Sequence, residues 1–563
     1  MKNRVALCLC LLVSIGSVVY LNALRGGFVW DDRVLILENQ YIQSFANLPQ
    51  AFTSDLMKFN ALKLNFYRPL QTMTYMWDYH FWGLNPFGYH LTSILLHFVC
   101  AMMIFFLALF LSRDAFVSFF SALIFMVNPV QTEAVTYISG RADILVTFFM
   151  VGSILAAFLS VERARFSSQW FGLSIVCFIG ALLSKEVAII LPFLLMLLVP
   201  QMKKSRLGPY FIILSIYLAL RFTILNFGRD ELVIIKSMPL VNFLTAPQLI
   251  WAYLGTFFFP ISVHLEKKVA YVHSALDPTF LIPAAFLVFF IYVFIKQRHE
   301  KEVIFCLLWF LITIVPVLNI IPLNEEFADH WLYLPSAGLS MLLPFLIGKA
   351  SFLKFKRRQI AAAAVCSLLV FFYAGKTMAQ NLLYESDFVL YRNILKHNPE
   401  SVRAHFNLGC LYWTEKKDAQ NAIREYQETL RLSPSLAIAH NNLGAMYLGQ
   451  NKLIEAARCF EKTLSLDPSL YETEANLGFI FQRLKKPEKA LEWFKKAEAR
   501  NPQSTEAKFF IASLYFNEGR YDEALKKLRE VLQLKPNPAL KKQTEAKIRK
   551  AEQLLKDGVK TST

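Results

Sequence analysis

The chain has 563 residues, 55% of them hydrophobic and 15% aromatic, and a net charge of +17. So much apolar surface excludes an ordinary soluble protein, because Leu, Ile, Val and Phe gather into many runs of membrane-spanning length. The charges gather mostly after Asn381, while the earlier Lys and Arg are scattered over short loops, which excludes nucleic-acid binding and marks topology instead.

The first apolar run, Val5 to Leu21, follows Lys2 and Arg4. A cleaved signal peptide is the competing reading, but no small-x-small site closes the run, so it is expected to stay as an anchor. Directly after it comes Phe28-Val29-Trp30-Asp31-Asp32-Arg33, two adjacent carboxylates just past the end of a first membrane helix. Charge at a membrane edge is costly unless solvated or paired, which makes Asp31 and Asp32 candidates for function; simple solvation, or pairing with Arg33, is the bland alternative.

Further apolar segments fall near 88–111, 115–131, 141–160, 170–184, 187–200, 208–226, 247–263, 279–296, 302–321, 333–349 and 359–379. Several are shorter than the ~20 residues of a straight span. Lys and Arg in alternate loops agree on a cytoplasmic N-terminus if segment 247–263 does not cross, which predicts about eleven crossings. The loop 23–87, the loop 322–332 and everything after Asn381 then share the outer side. The loop 23–87 is too long for a plain connector, and its aromatic stretch Tyr75 to Phe87 suits short helices at headgroup depth. Outer turns also carry Glu133, Arg141, Asp143, Lys185 and Glu186. The eight cysteines show neither metal-ligand spacing nor a disulfide framework, and read as buried small hydrophobes.

The polar half is periodic. Pro399, Pro434, Pro468, Pro502 and Pro536 recur at intervals of 35, 34, 34 and 34 residues, the tetratricopeptide period. Ala422, Ala456, Ala490 and Ala524 mark the close approach of paired helices, and Tyr426, Phe460, Phe494 and Leu528 fill the space beside them. The period predicts four helix pairs and a closing helix. Asn407, Asn442 and Asn476 repeat at one position of the first helix, where an amide offers a peptide backbone both a donor and an acceptor; capping or solvating the repeat is the alternative. Phe510 breaks that series in the fourth repeat. The predicted division is a membrane domain over 1–380, a linker helix over 381–398 and a repeat domain over 399–563.

A carboxylate facing a lipid-borne substrate can take the proton from an acceptor hydroxyl attacking an anomeric carbon. The leaving lipid phosphate needs Arg or Lys nearby, and Arg68, Arg141 and Lys185 are the outer-side candidates; Arg141 and Lys185 also suit snorkelling at helix ends. Glu133, Asp143 and Glu186 are expected to pair those cations.

The Trp30-Asp31-Asp32 loop, Tyr67-Arg68-Pro69-Leu70, Asn85-Pro86-Phe87-Gly88-Tyr89-His90, Asn128 to Val135, Gly140-Arg141-Ala142-Asp143, Ser184-Lys185-Glu186 and Leu332-Tyr333-Leu334-Pro335-Ser336 occur together and in order. With the C-terminal repeats, this set resembles the transmembrane and tetratricopeptide-repeat family of protein O-mannosyltransferases. The resemblance implies an all-α fold: a polytopic transmembrane C-type glycosyltransferase domain followed by a tetratricopeptide α-solenoid. It also implies a polyprenyl-phosphate sugar donor, a mannose-type hexose, and Asp31 and Asp32 as the acidic pair of the first outer loop. Asn128 and Gln131 stand where the family often has His, and Asp329-His330-Trp331 stands where an Arg-containing run is expected. Four repeats make a short array, as in a bacterial relative. The outer side is then the periplasm or exterior; in a eukaryote it is the endoplasmic reticulum lumen.

The expected function is transfer of the sugar from the lipid phosphate to Ser or Thr hydroxyls of a polypeptide presented by the repeats. No cofactor is predicted besides the lipid-linked donor and no metal is predicted, although Asp31, Asp32, Glu325, Glu326, Asp329 and His330 on two loops could share a divalent cation. Two rivals stand beside this reading: the same fold glycosylating a lipid-linked or cell-envelope glycan, and a non-enzymatic scaffold or transporter. A transporter predicts internally related halves or charges deep in helices, and neither is evident.

Overall fold

The computed structural model describes residues 2–57, 65–162, 167–228, 239–261, 263–296, 299–321, 323, 325–349, 355–470 and 472–560. Among them every regular element is a helix, and the chain forms two compact units, Met1–Pro399 and Glu400–Thr563.

In the first unit, α1 (Lys2–Tyr20) leads into an irregular outer loop holding α2 (Leu48–Thr53) and α3 (Pro69–Trp82). Then come α4 (Pro86–Ser112), α5 (Ala115–Val127), the single turn α6 (Thr132–Val135) and α7 (Arg141–Glu162). Next are α8 (Ser167–Leu182), α9 (Leu191–Leu198), α10 (Lys204–Phe222), α11 (Pro239–Phe258), α12 (Pro278–Lys296) and α13 (Lys301–Ile314). Last come α14 (Tyr333–Lys349), α15 (Phe355–Asn381) and the short α16 (Asp387–His397). Each apolar segment of the sequence thus contains a helix. Among the described residues, five helical stretches are long and apolar enough to cross a membrane, and six if the bent pair Ala115–Val127 and Pro129–Val135 is one span.

Local chemistry sets the ends. Pro86 opens α4 behind Asn85, whose side chain accepts the Phe87 amide, and Arg113 closes it in the left-handed conformation. Asp114 then caps α5 through the amides of Phe116 and Val117, so the two helices are joined by only two residues. In an apolar solvent, buried hydroxyls bond across helices. Ser153 on α7 and Ser174 on α8 share such a bond, and the Tyr210 hydroxyl of α10 donates to Ser174 at 2.6 Å.

In the second unit, α17 (Val402–Thr414) pairs with α18 (Ala419–Leu432) and α19 (Ala437–Gly449) with α20 (Leu453–Leu466). Likewise α21 (Glu472–Arg483) pairs with α22 (Pro487–Arg500), α23 (Thr505–Asn517) pairs with α24 (Tyr521–Gln533), and α25 (Pro538–Lys560) closes the array. Gly409, Gly444 and Gly478 let Tyr426, Phe460 and Phe494 press onto the first helix: a Cβ there would meet the rings at 2.9, 2.9 and 2.6 Å. Ala422, Ala456, Ala490 and Ala524 are wholly buried, as the period requires. The architecture is the all-helical one expected, with membrane-type helices ahead of a tetratricopeptide array.

Candidate active site

Several charged connectors of the first unit meet one another. The link after α1 meets the turn before α7, because the Asp32 carboxylate accepts both the amide and the hydroxyl of Ser139. The Val29 amide donates to its other oxygen at 3.1 Å. Asp32 is fully buried, and that burial pushes its carboxyl up to about 7 against the pull of these donors. Its neighbour Asp31 is half-buried, and its amide donates to the Tyr137 hydroxyl at 3.3 Å. The adjacent acids therefore differ: Asp32 is fully buried and ties two connectors together, whereas Asp31 is only half-buried.

Around them runs a series of ion pairs. Arg68, just ahead of α3, reaches Glu186 at 3.4 Å, and Glu186 also accepts the Tyr67 amide. The Arg68 Nε is buried without a hydrogen-bond partner, and the residue lines a cleft with Asn39, Tyr41, Asp55 and Thr72. Lys185, in the turn after α8, holds both oxygens of Asp143 at 2.7 Å. Burial lowers its ammonium below the ordinary value, with Asp143 opposing. Glu133 on α6 pairs with His330 at 2.5 Å and accepts the Asp329 amide at 3.1 Å. Asp329 in turn binds Lys267 at 2.7 Å, while its second oxygen is buried without a partner. Tyr384, stacked on Tyr137 at 6.1 Å, lies in the field of Glu133, Asp329 and Asp32 and so joins the two groups of acids.

Arg141, expected at the donor phosphate, is fully buried instead. Its guanidinium donates to Ser93, Thr74, Asp78 and the Tyr89 carbonyl, at 3.0, 3.1, 2.5 and 2.7 Å, and lies over the Tyr75 ring. It is held by α3 and α4 and faces no open space. Asp143 and Glu186 pair Lys185 and Arg68, whereas Glu133 pairs a histidine. Asn128 caps the turn after α5 and donates to the Phe257 carbonyl, and Gln131 donates to Ser336. Among the described residues, no three His, Cys, Asp or Glu side chains converge to hold a metal ion. Glu326 accepts the Val269 amide, and Asp329 is engaged by Lys267, so the acids of cation-ligand type do not form one set.

Three residues that sequence reasoning passed over complete the site. Asp78 anchors Arg141 from within an aromatic helix, where a lone acid is itself a signal. Ser139 holds Asp32. Asp387, at the start of α16, accepts the Trp30 amide and the Arg33 guanidinium, each at 2.7 Å. Neither Ser139 nor Asp387 has a local signature.

In the second unit, Asn407, Asn442 and Asn476 are half-buried at matching positions of α17, α19 and α21. The Asn442 amide lies 3.4 Å from the Tyr426 hydroxyl. The fourth repeat places Phe510 against Phe494, with stacked rings 5.0 Å apart.

The molecule is therefore a multi-pass helical membrane protein with a repeat array, and connectors of its membrane unit are joined by buried acids and ion pairs. Family models described as tetratricopeptide repeat match residues 390–437, 437–470 and 483–548. The chain is 26% identical over 429 residues to Protein O-mannosyl-transferase F38B6.6 of Caenorhabditis elegans, covering 71% of this chain and 59% of that protein. It is 25% identical over 498 residues to human Protein O-mannosyl-transferase TMTC3, covering 79% and 53%. Among solved structures, it resembles YrrB, described as a TPR protein with an unusual peptide-binding site. That match is 25% identical with a TM-score of 0.27, over 30% of this chain and 84% of that one. The chain spans a little over half the length of the two O-mannosyl-transferases. Those two matches relate the chain to proteins named as protein O-mannosyl-transferases, the family its motifs resemble.

Proposed function

We propose that the chain is a membrane glycosyltransferase that moves a mannose-type hexose from a polyprenyl phosphate to Ser or Thr hydroxyls of proteins. The observation that carries this reading is the contrast within the acidic pair: a half-buried Asp31 is set in place by a buried Asp32 bound to Ser139. Asp31 is the base. It takes the hydroxyl proton as the acceptor oxygen bonds to the anomeric carbon; the carbon–oxygen bond to the phosphate breaks, and its electron pair leaves on the polyprenyl phosphate. Arg68 and Lys185 face the growing negative charge, while Arg141 braces the scaffold. Arg68 is the stronger candidate, since its ion pair with Glu186 is long and its Nε is unbonded. The membrane brings the donor, and the repeats present the acceptor chain through Asn407, Asn442 and Asn476. The reacting end faces the periplasm or exterior, or the endoplasmic reticulum lumen.

The test is transfer by the purified full chain in nanodiscs, from mannosyl-phosphopolyprenol to a synthetic Ser/Thr-rich polypeptide. Asp31→Asn should abolish turnover with the fold intact. Wild-type turnover in that variant would overturn the reading.

A further inference from the structure

We propose that Asp387 is the positioning residue for Asp31, a role that rests on the reading of Asp31 as the base. The carboxylate of Asp387 is buried and grips the loop on both sides of Asp31. One oxygen accepts the Trp30 amide and the other accepts the Arg33 Nε, both at 2.7 Å. The residue it steadies on the near side is unusual: Trp30 has φ of 54°, the left-handed region that a bulky residue adopts only when its surroundings force it. The Trp30 ring meets Tyr391, one helical turn further along α16, with centroids 5.4 Å apart.

The same segment is pressed against the loop from below. The Gly27 amide lies 3.2 Å from the carbonyls of both Tyr384 and Glu385, and a Cβ at Gly27 would meet the Glu385 oxygen at 2.9 Å. At Gly26 a Cβ would meet the His90 ring at 2.6 Å. Two small residues therefore let the chain pass between His90 and the start of α16, and Asp387 then fixes the stretch from Trp30 to Arg33. A carboxylate in the first turn of a helix is also favoured by the helix dipole.

The far end of α16 reaches the second group of charges. His397 stacks on His264 with ring centroids 4.6 Å apart, and Asn398 donates to the Glu266 carbonyl at 3.2 Å. The next residue, Lys267, is the one paired with Asp329. A single short helix thus holds the Asp31 loop at one end and the Lys267 segment at the other. Asp387 touches neither proposed substrate; it acts through the backbone and cation that flank the base.

The experiment uses the full chain in nanodiscs and two readouts. The first is hydrogen exchange of the segment 28–37 without substrate. The second is kcat and donor KM with mannosyl-phosphopolyprenol and a Ser/Thr-rich polypeptide. Asp387→Ala should speed exchange at least tenfold in that segment while leaving α4 and α7 protected. It should lower kcat on the order of 100-fold, the usual cost of a small misplacement, with donor KM within about twofold. Asp387→Asn keeps an acceptor for the Trp30 amide and should recover part of the lost kcat. Should Asp387→Ala prove unable to fold, Asp387→Asn and Arg33→Ala carry the test, each with a smaller change of the same sign. Unchanged protection of 28–37, or an unchanged kcat per folded molecule, would overturn the proposal. If Asp31→Asn turns over like wild type, the assignment of the base fails instead, and the exchange result tells the two failures apart.

Discussion

Arg141 and Asp78 form an ion pair of 2.5 Å that is shut off from solvent, with side-chain exposures of 0% and 5%. The pair links the first turn of α7 to α3, across 63 residues of sequence. Removing one partner of a buried pair strands the other charge, at a cost of about 3–5 kcal/mol. Arg141→Ala and Asp78→Ala should each lower stability by about that much, and the double variant by much less than the sum. Thermal unfolding of the four proteins in one detergent measures the coupling.

The buried Asp32 gives stability a pH dependence. The folded carboxyl keeps its proton up to about 7, whereas an ordinary Asp releases it near 3.8. Between those values the folded state binds more protons than the unfolded one, so this group's contribution falls as pH rises from about 4 to 7. Asp32→Asn should flatten that part of the melting-temperature profile. It should also weaken the loop, since the Asn amide group can face a donor from Ser139 or Val29.

Arg68 should report on the donor. Arg68→Ala is expected to raise donor KM at least tenfold, with little change in melting temperature, because its ion pair with Glu186 is 3.4 Å long and Glu186 is partly exposed. Arg68→Lys should recover only part of this, since an ammonium cannot offer the planar fork that a phosphate accepts. Titration of donor in a steady-state assay distinguishes the two variants.

Gly140 closes the turn between α6 and α7, where a Cβ would meet the Cα of Ala134 at 2.8 Å and also crowd the Glu133 carbonyl. Backbone cannot move aside as a side chain does. Gly140→Ala should cost about 1–3 kcal/mol, the usual range for overpacking. It should also disturb the Asp32–Ser139 contact one residue away, which is visible as faster exchange in the segment 136–143.

The repeats are readable in the sequence because a 34-residue period constrains many positions at once, down to the alanines and rings that face each other across a helix pair. The apolar segments are readable for a similar reason: length and composition alone specify a membrane helix. The connectors are harder. Arg141 looks like a solvent-edge cation because nothing in Gly140-Arg141-Ala142-Asp143 announces Asp78, Thr74, Ser93 and the Tyr89 carbonyl, which come from two earlier helices. Asp387 carries no local mark beyond opening a helix after Ser386, yet it binds residues 354 and 357 positions away. Distant pairings of this kind depend on how connectors fold over the bundle end, and a linear pattern does not encode that.

The helix α3 has one further consequence. Its inner side delivers Asp78 to Arg141, while Trp77, Phe81 and Trp82 stand out from the protein, with Trp77 and Phe81 stacked 5.9 Å apart. Indole and phenyl rings of this sort settle at the level of lipid headgroups. A float is thereby bolted to the same arginine that anchors the start of α7, just beyond the turn that binds Asp32. The depth at which those rings settle in a bilayer would therefore pass through Asp78 and Arg141 to the turn that binds Asp32, tying the height of the acidic pair to rings far from it along the chain.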